Sequence, residues 1–305
     1  MRFRKSVRIA ALLSFMMVSA AATAGPVAGG KARFWSSGSN ADVPMRIVDG
    51  RPVVEATIHG RGPFRLVIDT GFAGEMALSK DAAARMGLTR SGTMRVGDPS
   101  GRNTMDVEVY AVDDVRLGGI DFHAVTASAL PPSRPSGGAV DGVVGIGLLR
   151  DLLLSFDYAG GRFAATRGSL AAAGDARTVR LARDPSGLVR LPVTVGGHDL
   201  DLDLDTGNGR SALSLPAEVV PALQTRGPAR AIGMARTVSQ EIPIMAVDLA
   251  APVRVGGTTL GVSGITYPSP APRGNIGSPA FAGTVLQIDL PHGLAKVTSS
   301  APARP

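Results

Sequence analysis

The chain contains no cysteine. That excludes disulfides, thiol catalysis, thiolate metal sites and a lipid-modified amino-terminal cysteine, so the fold must rest on its core. Aromatic residues are scarce as well, at 4% with a single Trp. No aromatic ladder interleaves with basic residues in the way that single-stranded nucleic acid requires. No Gly-x-Ser-x-Gly elbow is present, which weighs against a serine hydrolase. The four histidines, His59, His123, His198 and His292, stand in separate turn-like contexts without metal-ligand spacing. No metal and no cofactor are expected.

What the chain does contain is 39 glycines and 22 prolines alongside 44% hydrophobic residues, a mixture that suits many turns around a real core. Its 305 residues favour two domains of ordinary size. At the start, Arg2, Arg4, Lys5 and Arg8 precede an apolar run from Ile9 to Ala22, and Ala22-Thr23-Ala24 supplies small residues for cleavage. This reads as a secretory signal peptide over residues 1–24, hence an exported protein, periplasmic or secreted, with no stable membrane insertion once the leader is removed. Of the formal charge of +7, four positive charges lie in that leader, leaving +3 on scattered Arg and Lys residues. Nucleic acid is not an expected partner.

The remaining chain is written twice. Val54-Glu55-Ala56-Thr57-Ile58 leads through Phe64-Arg65-Leu66-Val67-Ile68 to Asp69-Thr70-Gly71. Leu191-Pro192-Val193-Thr194-Val195 leads through Leu200-Asp201-Leu202-Asp203-Leu204 to Asp205-Thr206-Gly207. Ala77-Leu78-Ser79 then opens a helical stretch to Leu88, and Ala212-Leu213-Ser214 is expected to open another, to Leu223. The expected hairpin turns Arg116-Leu117-Gly118-Gly119 and Arg254-Val255-Gly256-Gly257 match. So do the apolar strands ending at Gly145 and Gly277, and later Ser155-Phe156-Asp157 and Gln287-Ile288-Asp289. The copies stay 132 to 138 residues apart throughout. Short strands rich in Val, Ile, Leu and Thr make each copy predominantly β. The expected fold is all-β, with lobes over residues 25–170 and 171–305 and a linker near residues 171–175. Residues 25–40 and 299–305 read as loosely ordered, with Phe34 and Trp35 pinning the amino-terminal segment to a lobe.

An Asp at the end of an apolar strand, followed by Thr and Gly, places a carboxylate where the sheet opens into a tight turn. One such tripeptide also makes an ordinary surface turn. Two at matching positions can bring their carboxylates close enough to share a proton, giving an acid and a base from one residue type. The ionised partner would take a proton from a trapped water while the other polarises a carbonyl.

The pattern of apolar-Asp-Thr-Gly twice, each followed by an apolar-Gly strand, resembles the pepsin and retropepsin aspartic proteases over roughly residues 53–297. The resemblance implies two similar β-barrel lobes related by a pseudo-two-fold axis, with a cleft between them and a few short helices. It implies an aspartic endopeptidase acting on a peptide or unfolded protein, monomeric as an internal pseudo-dimer. Asp69 and Asp205 would be catalytic, Thr70 and Thr206 would bond across the lobes, Gly71 and Gly207 would shape the turns, and Gly145 and Gly277 would lie behind them. The proton-sharing dyad is itself known from pepsin.

Several positions depart from that pattern. Phe72 and Asn208 stand where the family has a small Ser or Ala, and Asn275 replaces an apolar strand residue. Asn208 and Asn275 can bond each other or a ligand. The first-lobe flap, expected around residues 96–105, lacks the tyrosine of the pepsins. These departures motivate the alternative of a non-catalytic or weakly active peptide-binding module of the cell envelope. Asp199, Asp201, Asp203 and Asp205 alternate with leucines. Their spacing does not complete a calcium loop, so they read as a strand with one wet face. Gly145-Ile146-Gly147 lacks the third glycine and following helix of a dinucleotide loop and reads as packed strand.

Overall fold

The computed structural model describes residues 35–97, 104–130, 140–170, 175, 177–236, 241–269 and 271–300. The expected leader, the expected linker at residues 171–174, most of the expected flap turn and residues 301–305 lie outside them. Among the described residues no helix is long and apolar enough to cross a membrane.

Strands dominate, and they recur in the same order in both halves. Arg51–Ile58 and Arg61–Asp69 form an antiparallel pair, as do Val189–Val195 and His198–Asp205. The second strand of each pair ends at the Asp of the motif. Each then pairs in parallel with a short strand from far along the chain, Gly142–Gly145 in the first half and Asn275–Gly277 in the second. Gly118 and Gly256 turn the small hairpins with φ of 56° and 54°, in the left-handed region that glycine enters without a Cβ penalty.

Between the lobes lies a six-stranded antiparallel sheet. Its order is Thr178–Arg180, Leu294–Ser299, Thr284–Asp289, Leu153–Asp157, Arg162–Thr166 and Asn40–Val48. The two middle strands come one from each half and meet with Ser155 opposite Gln287. Strand Asn40–Val48 runs through two sheets. Its first five residues pair with Arg162–Thr166 and its last four with Arg51–Val54. Phe156, Phe163 and Phe281 are fully buried beside this sheet, with Phe156 and Phe163 in edge contact at 5.0 Å. One apolar core runs continuously through both halves.

Three local expectations change. The first helix forms over Lys80–Met86, with the Ser79 hydroxyl accepting from Ala82 N–H and Gly87 closing it at φ 71°. The second, expected over residues 212–223, does not form: Leu213–Ser214 is strand and only Val220–Ala222 makes a 3-10 turn. Pro221 lies in the last turn of the expected stretch, where its missing N–H and its ring oppose an α-helix, and Val219 and Val220 add β-branched crowding. Gly145 ends its strand and Ile146–Leu149 makes a single helical turn, so residues 145–147 are not continuous strand. The amino-terminal region is also more ordered than expected from residue 35 onward. Trp35–Ser37 pairs with Ile120–His123, and the Trp35 ring stacks on His123 at 4.0 Å.

Long hairpins extend from both lobes. Arg90–Gly97 pairs with Thr104–Val112 in the first, and Thr225–Arg236 with Glu241–Leu249 in the second. The second was not apparent in the sequence, because Gly227, Pro228 and Gly233 interrupt its alternation and bulges follow at Arg226/Arg230 and Ala231/Gly233.

Candidate active site

Asp69 and Asp205 end equivalent strands, and the fold brings them together from opposite lobes. Both are almost wholly buried. In the parallel pairings, Gly145 lies opposite Asp69 and Gly277 opposite Asp205. Neither glycine has room for a side chain. A Cβ at Gly145 would collide with the carbonyl oxygens of Phe72 and Gly74, and one at Gly277 with those of Asn208 and Ser211. Each motif loop therefore lies flat against bare backbone, which holds its Asp in place. A Cβ at Gly207 would strike the Asp69 carboxyl group itself, so the first lobe's carboxylate rests directly on the second lobe's turn. Gly71 donates its N–H to Asp69 Oδ1 at 2.8 Å.

The two threonines lie behind the carboxylates and are buried. Thr70 N–H donates to Thr206 Oγ1 at 3.0 Å, and Thr206 N–H donates to Thr70 Oγ1 at 3.0 Å. Each hydroxyl then donates across the interface, Thr70 to Leu204 O at 2.8 Å and Thr206 to Ile68 O at 2.7 Å. All four bonds are reciprocal under the two-fold relation, so neither turn can shift without breaking its partner's contacts.

The surroundings of the two carboxylates differ. Beside Asp205, Asn275 donates from Nδ2 to Oδ2 at 2.6 Å, and Asn208 N–H donates to Oδ1 at 2.9 Å. Asn208 in turn donates from its side chain to Asn275 Oδ1 at 2.8 Å. Beside Asp69, the Phe72 ring covers Gly145 and Gly74, and Val143 occupies the strand position that corresponds to Asn275. Burial pushes the Asp69 carboxyl well above the usual carboxylate range, reinforced by the charge of Asp205 and opposed by the N–H of Gly71 and the charge of Arg51. Burial also raises Asp205, to about 6, against the pull of Asn275 and the N–H groups of Asn208 and Gly207. Asp203 adds a small upward push from the same strand.

Three supporting residues were not singled out from sequence. Ser278 donates to Thr206 O at 2.7 Å and shares a 2.8 Å hydrogen bond with the hydroxyl of the partly buried Tyr158, which comes from the other half of the chain. Burial raises the Tyr158 phenol, keeping it protonated. Arg51 follows the turn at Gly50, which packs against Gly209 just past the second motif. The contacts Tyr158–Ser278 and Gly50–Gly209 join residues more than 100 positions apart and leave no local trace, so only the lobe pairing itself could have located them.

The remaining candidates stay outside the site. Among the described residues no group of three or more His, Cys, Asp or Glu side chains is placed to hold a metal. His59 and His198 are exposed, and His292 bonds Asp289 at 2.8 Å. Asp199 and Asp201 are exposed while Leu202 and Leu204 are buried, as a strand with one wet face requires.

Residues 54–158 match a family described as aspartyl protease. No curated protein matches the chain. Among solved structures, it is similar to basic 7S globulin from soybean, at 12% identity and a TM-score of 0.50, with 87% of this chain and 96% of that one covered. Residues 54–158 are thus similar in sequence to the aspartyl proteases, and the two lobes together have the pepsin- and retropepsin-like all-β fold.

Proposed function

We propose that this protein is an aspartic endopeptidase. The observation that carries the reading is the meeting of two buried carboxylates, one from each lobe, on turns locked to each other by Thr70 and Thr206. Two carboxyl groups in such contact cannot both ionise cheaply, so they hold one proton between them over a range of pH. The ionised member takes a proton from a water, and the resulting hydroxide attacks the scissile carbonyl carbon while the protonated member gives its proton to the carbonyl oxygen. When the diol collapses, the leaving nitrogen takes the proton first drawn from water. The other carboxylate recovers its own proton from the diol, the C–N bond breaks, and no acyl-enzyme forms.

The substrate on this reading is an extended peptide or unfolded protein bound by strand-like hydrogen bonds. The protein acts without metal or cofactor, outside the cytoplasm after removal of residues 1–24, and as a monomer. Purified mature protein is expected to cleave an unfolded protein at mildly acidic pH, and Asp69→Asn or Asp205→Asn to abolish that cleavage. Undiminished cleavage by both variants would overturn the assignment.

Phe72 favours a second reading, a peptide-binding module with little turnover, because a bulky ring fills the place of a small residue beside the dyad. Binding of a statine-type inhibitor together with measurable proteolysis supports the enzyme. Binding of peptide with no hydrolysis at any pH supports the module.

A further inference from the structure

Asp205 accepts a hydrogen bond from a side-chain amide, whereas Asp69 is bonded by backbone N–H groups. Backbone N–H groups can only donate, and those of Arg210 and Ser211 point at Asn208 Oδ1, at 3.1 and 3.4 Å. That fixes which end of the Asn208 amide faces them, so its Nδ2 must face Asn275. The Asn275 oxygen therefore faces Asn208, and its own Nδ2 must face Asp205 Oδ2. Asp205 Oδ1 meets another obligate donor, Asn208 N–H. Both oxygens of Asp205 are thus occupied by groups that cannot accept a proton from it. Asp69 receives the N–H groups of Gly71 and Gly207 but no side-chain amide, with apolar Val143 where its lobe would otherwise supply one.

We propose that Asn275, oriented by Asn208, sets the polarity of the dyad, making Asp205 the ionised base and Asp69 the acid that carries the shared proton. This rests on the peptidase reading of the two carboxylates. Asn275 is a positioning residue, since it acts on Asp205 and not on substrate. Water then loses its proton to Asp205, and the carbonyl oxygen receives the proton of Asp69.

The other charges that reach the pair come from three elements. Arg51 acts on Asp69 from the first lobe's inner strand and favours its ionised form, but through space, with no hydrogen bond to it. Asp203 acts on Asp205 from its own strand and disfavours its charge, the weakest influence there. Tyr158, on the far side of Ser278, is neutral. Asn275 is the strongest of the influences that favour a charged Asp205. A direct bond between a buried amide and a carboxylate outweighs a screened charge at longer range.

The test is a carboxyl titration by carbon-13 NMR on the mature protein, with Asp69 and Asp205 assigned by comparison with Asp69→Asn. Asp205 is expected to ionise at lower pH than Asp69. Asn275→Val, which copies the first lobe, should raise the lower of the two transitions by about one pH unit. Asn208→Ala, which frees the Asn275 amide to rotate, should move it less and in the same direction. In peptide cleavage the acidic limb of the kcat/KM profile should shift by the same amount, with KM within about twofold. Ionisation of Asp69 before Asp205 in the wild type overturns the proposal without recourse to any variant. So does an unchanged lower transition in a folded Asn275→Val protein. Loss of the peptidase reading shows itself separately, as absent cleavage with the titration order intact.

Discussion

Thr70 and Thr206 each use one hydroxyl twice, accepting the other's backbone N–H at 3.0 Å and donating into the strand that precedes the other's motif. The pair joins the lobes at the point where the carboxylates meet, inside a core with no water to replace a lost partner. Thr206→Val keeps the volume and removes the hydroxyl, leaving Thr70 N–H and Ile68 C=O buried without their bonds. Each unsatisfied group costs about 1–3 kcal/mol, so a loss of about 3 kcal/mol is expected. Urea denaturation checks it. Thr206→Ser, which keeps the hydroxyl and loses a methyl, should cost only about 1 kcal/mol.

Gly277 has no such spare volume. Its Cβ would lie 2.6 Å from Asn208 O and 3.1 Å from Asn208 Cγ, so Gly277→Ala must push the motif loop off its strand. The expected result is a stability loss of at least about 2 kcal/mol and loss of activity, because Asp205 moves with the loop. Gly261 provides the control. It is exposed, its Cβ would meet nothing within 4 Å, and Gly261→Ala should leave stability within about 0.5 kcal/mol. Equal effects from the two substitutions would contradict the packing described for residue 277.

The duplicated architecture was legible because a repeat is read by comparing the chain with itself, which needs no knowledge of its contacts. Asp69 and Asp205, the threonines and the paired glycines all follow from that comparison, and the structure places them at one locus. The expected second helix failed for a local reason, Pro221, that the repeat had masked. The inter-lobe sheet was invisible for a different reason. Strands Leu153–Asp157 and Thr284–Asp289 alternate like any others, and nothing local says that Ser155 faces Gln287. The same holds for Tyr158 and Ser278, 120 residues apart. Asn208 and Asn275 stood out only as departures from the family pattern, and their shared bond required the parallel pairing of Asp205 with Gly277.

Tyr158 ties the inter-lobe sheet to the back of the second motif through Ser278 and Thr206 O. The Ser278 hydroxyl gives its proton to Thr206, so the Tyr158 hydroxyl is the donor in their shared bond. Tyr158→Phe removes that donor while Ser278 keeps its own bond, and the expected loss is about 1 kcal/mol. Activity should fall less than tenfold, since no reacting group is touched. A fall as deep as that of Asp205→Asn would show that Tyr158 meets the reacting groups directly.

Stability should also report on the dyad, and its sign is opposite to that of a salt-bridged carboxylate. Asp205 is raised to about 6 in the folded protein and Asp69 is raised as well, both chiefly by burial, whereas unfolded aspartates ionise near 3.8. Between those limits the folded state holds a proton that the unfolded chain has released. The contribution is therefore complete below about pH 3.8 and is lost as pH rises through 6. From the Asp205 shift alone the loss is on the order of 3 kcal/mol. Asp205→Asn removes the ionising group, so its stability should change less than that of the wild type between pH 4 and pH 7. Urea midpoints for both proteins across that range measure the difference. Parallel curves would mean that Asp205 titrates alike in the folded and unfolded chains, which would be incompatible with its burial against Asp69.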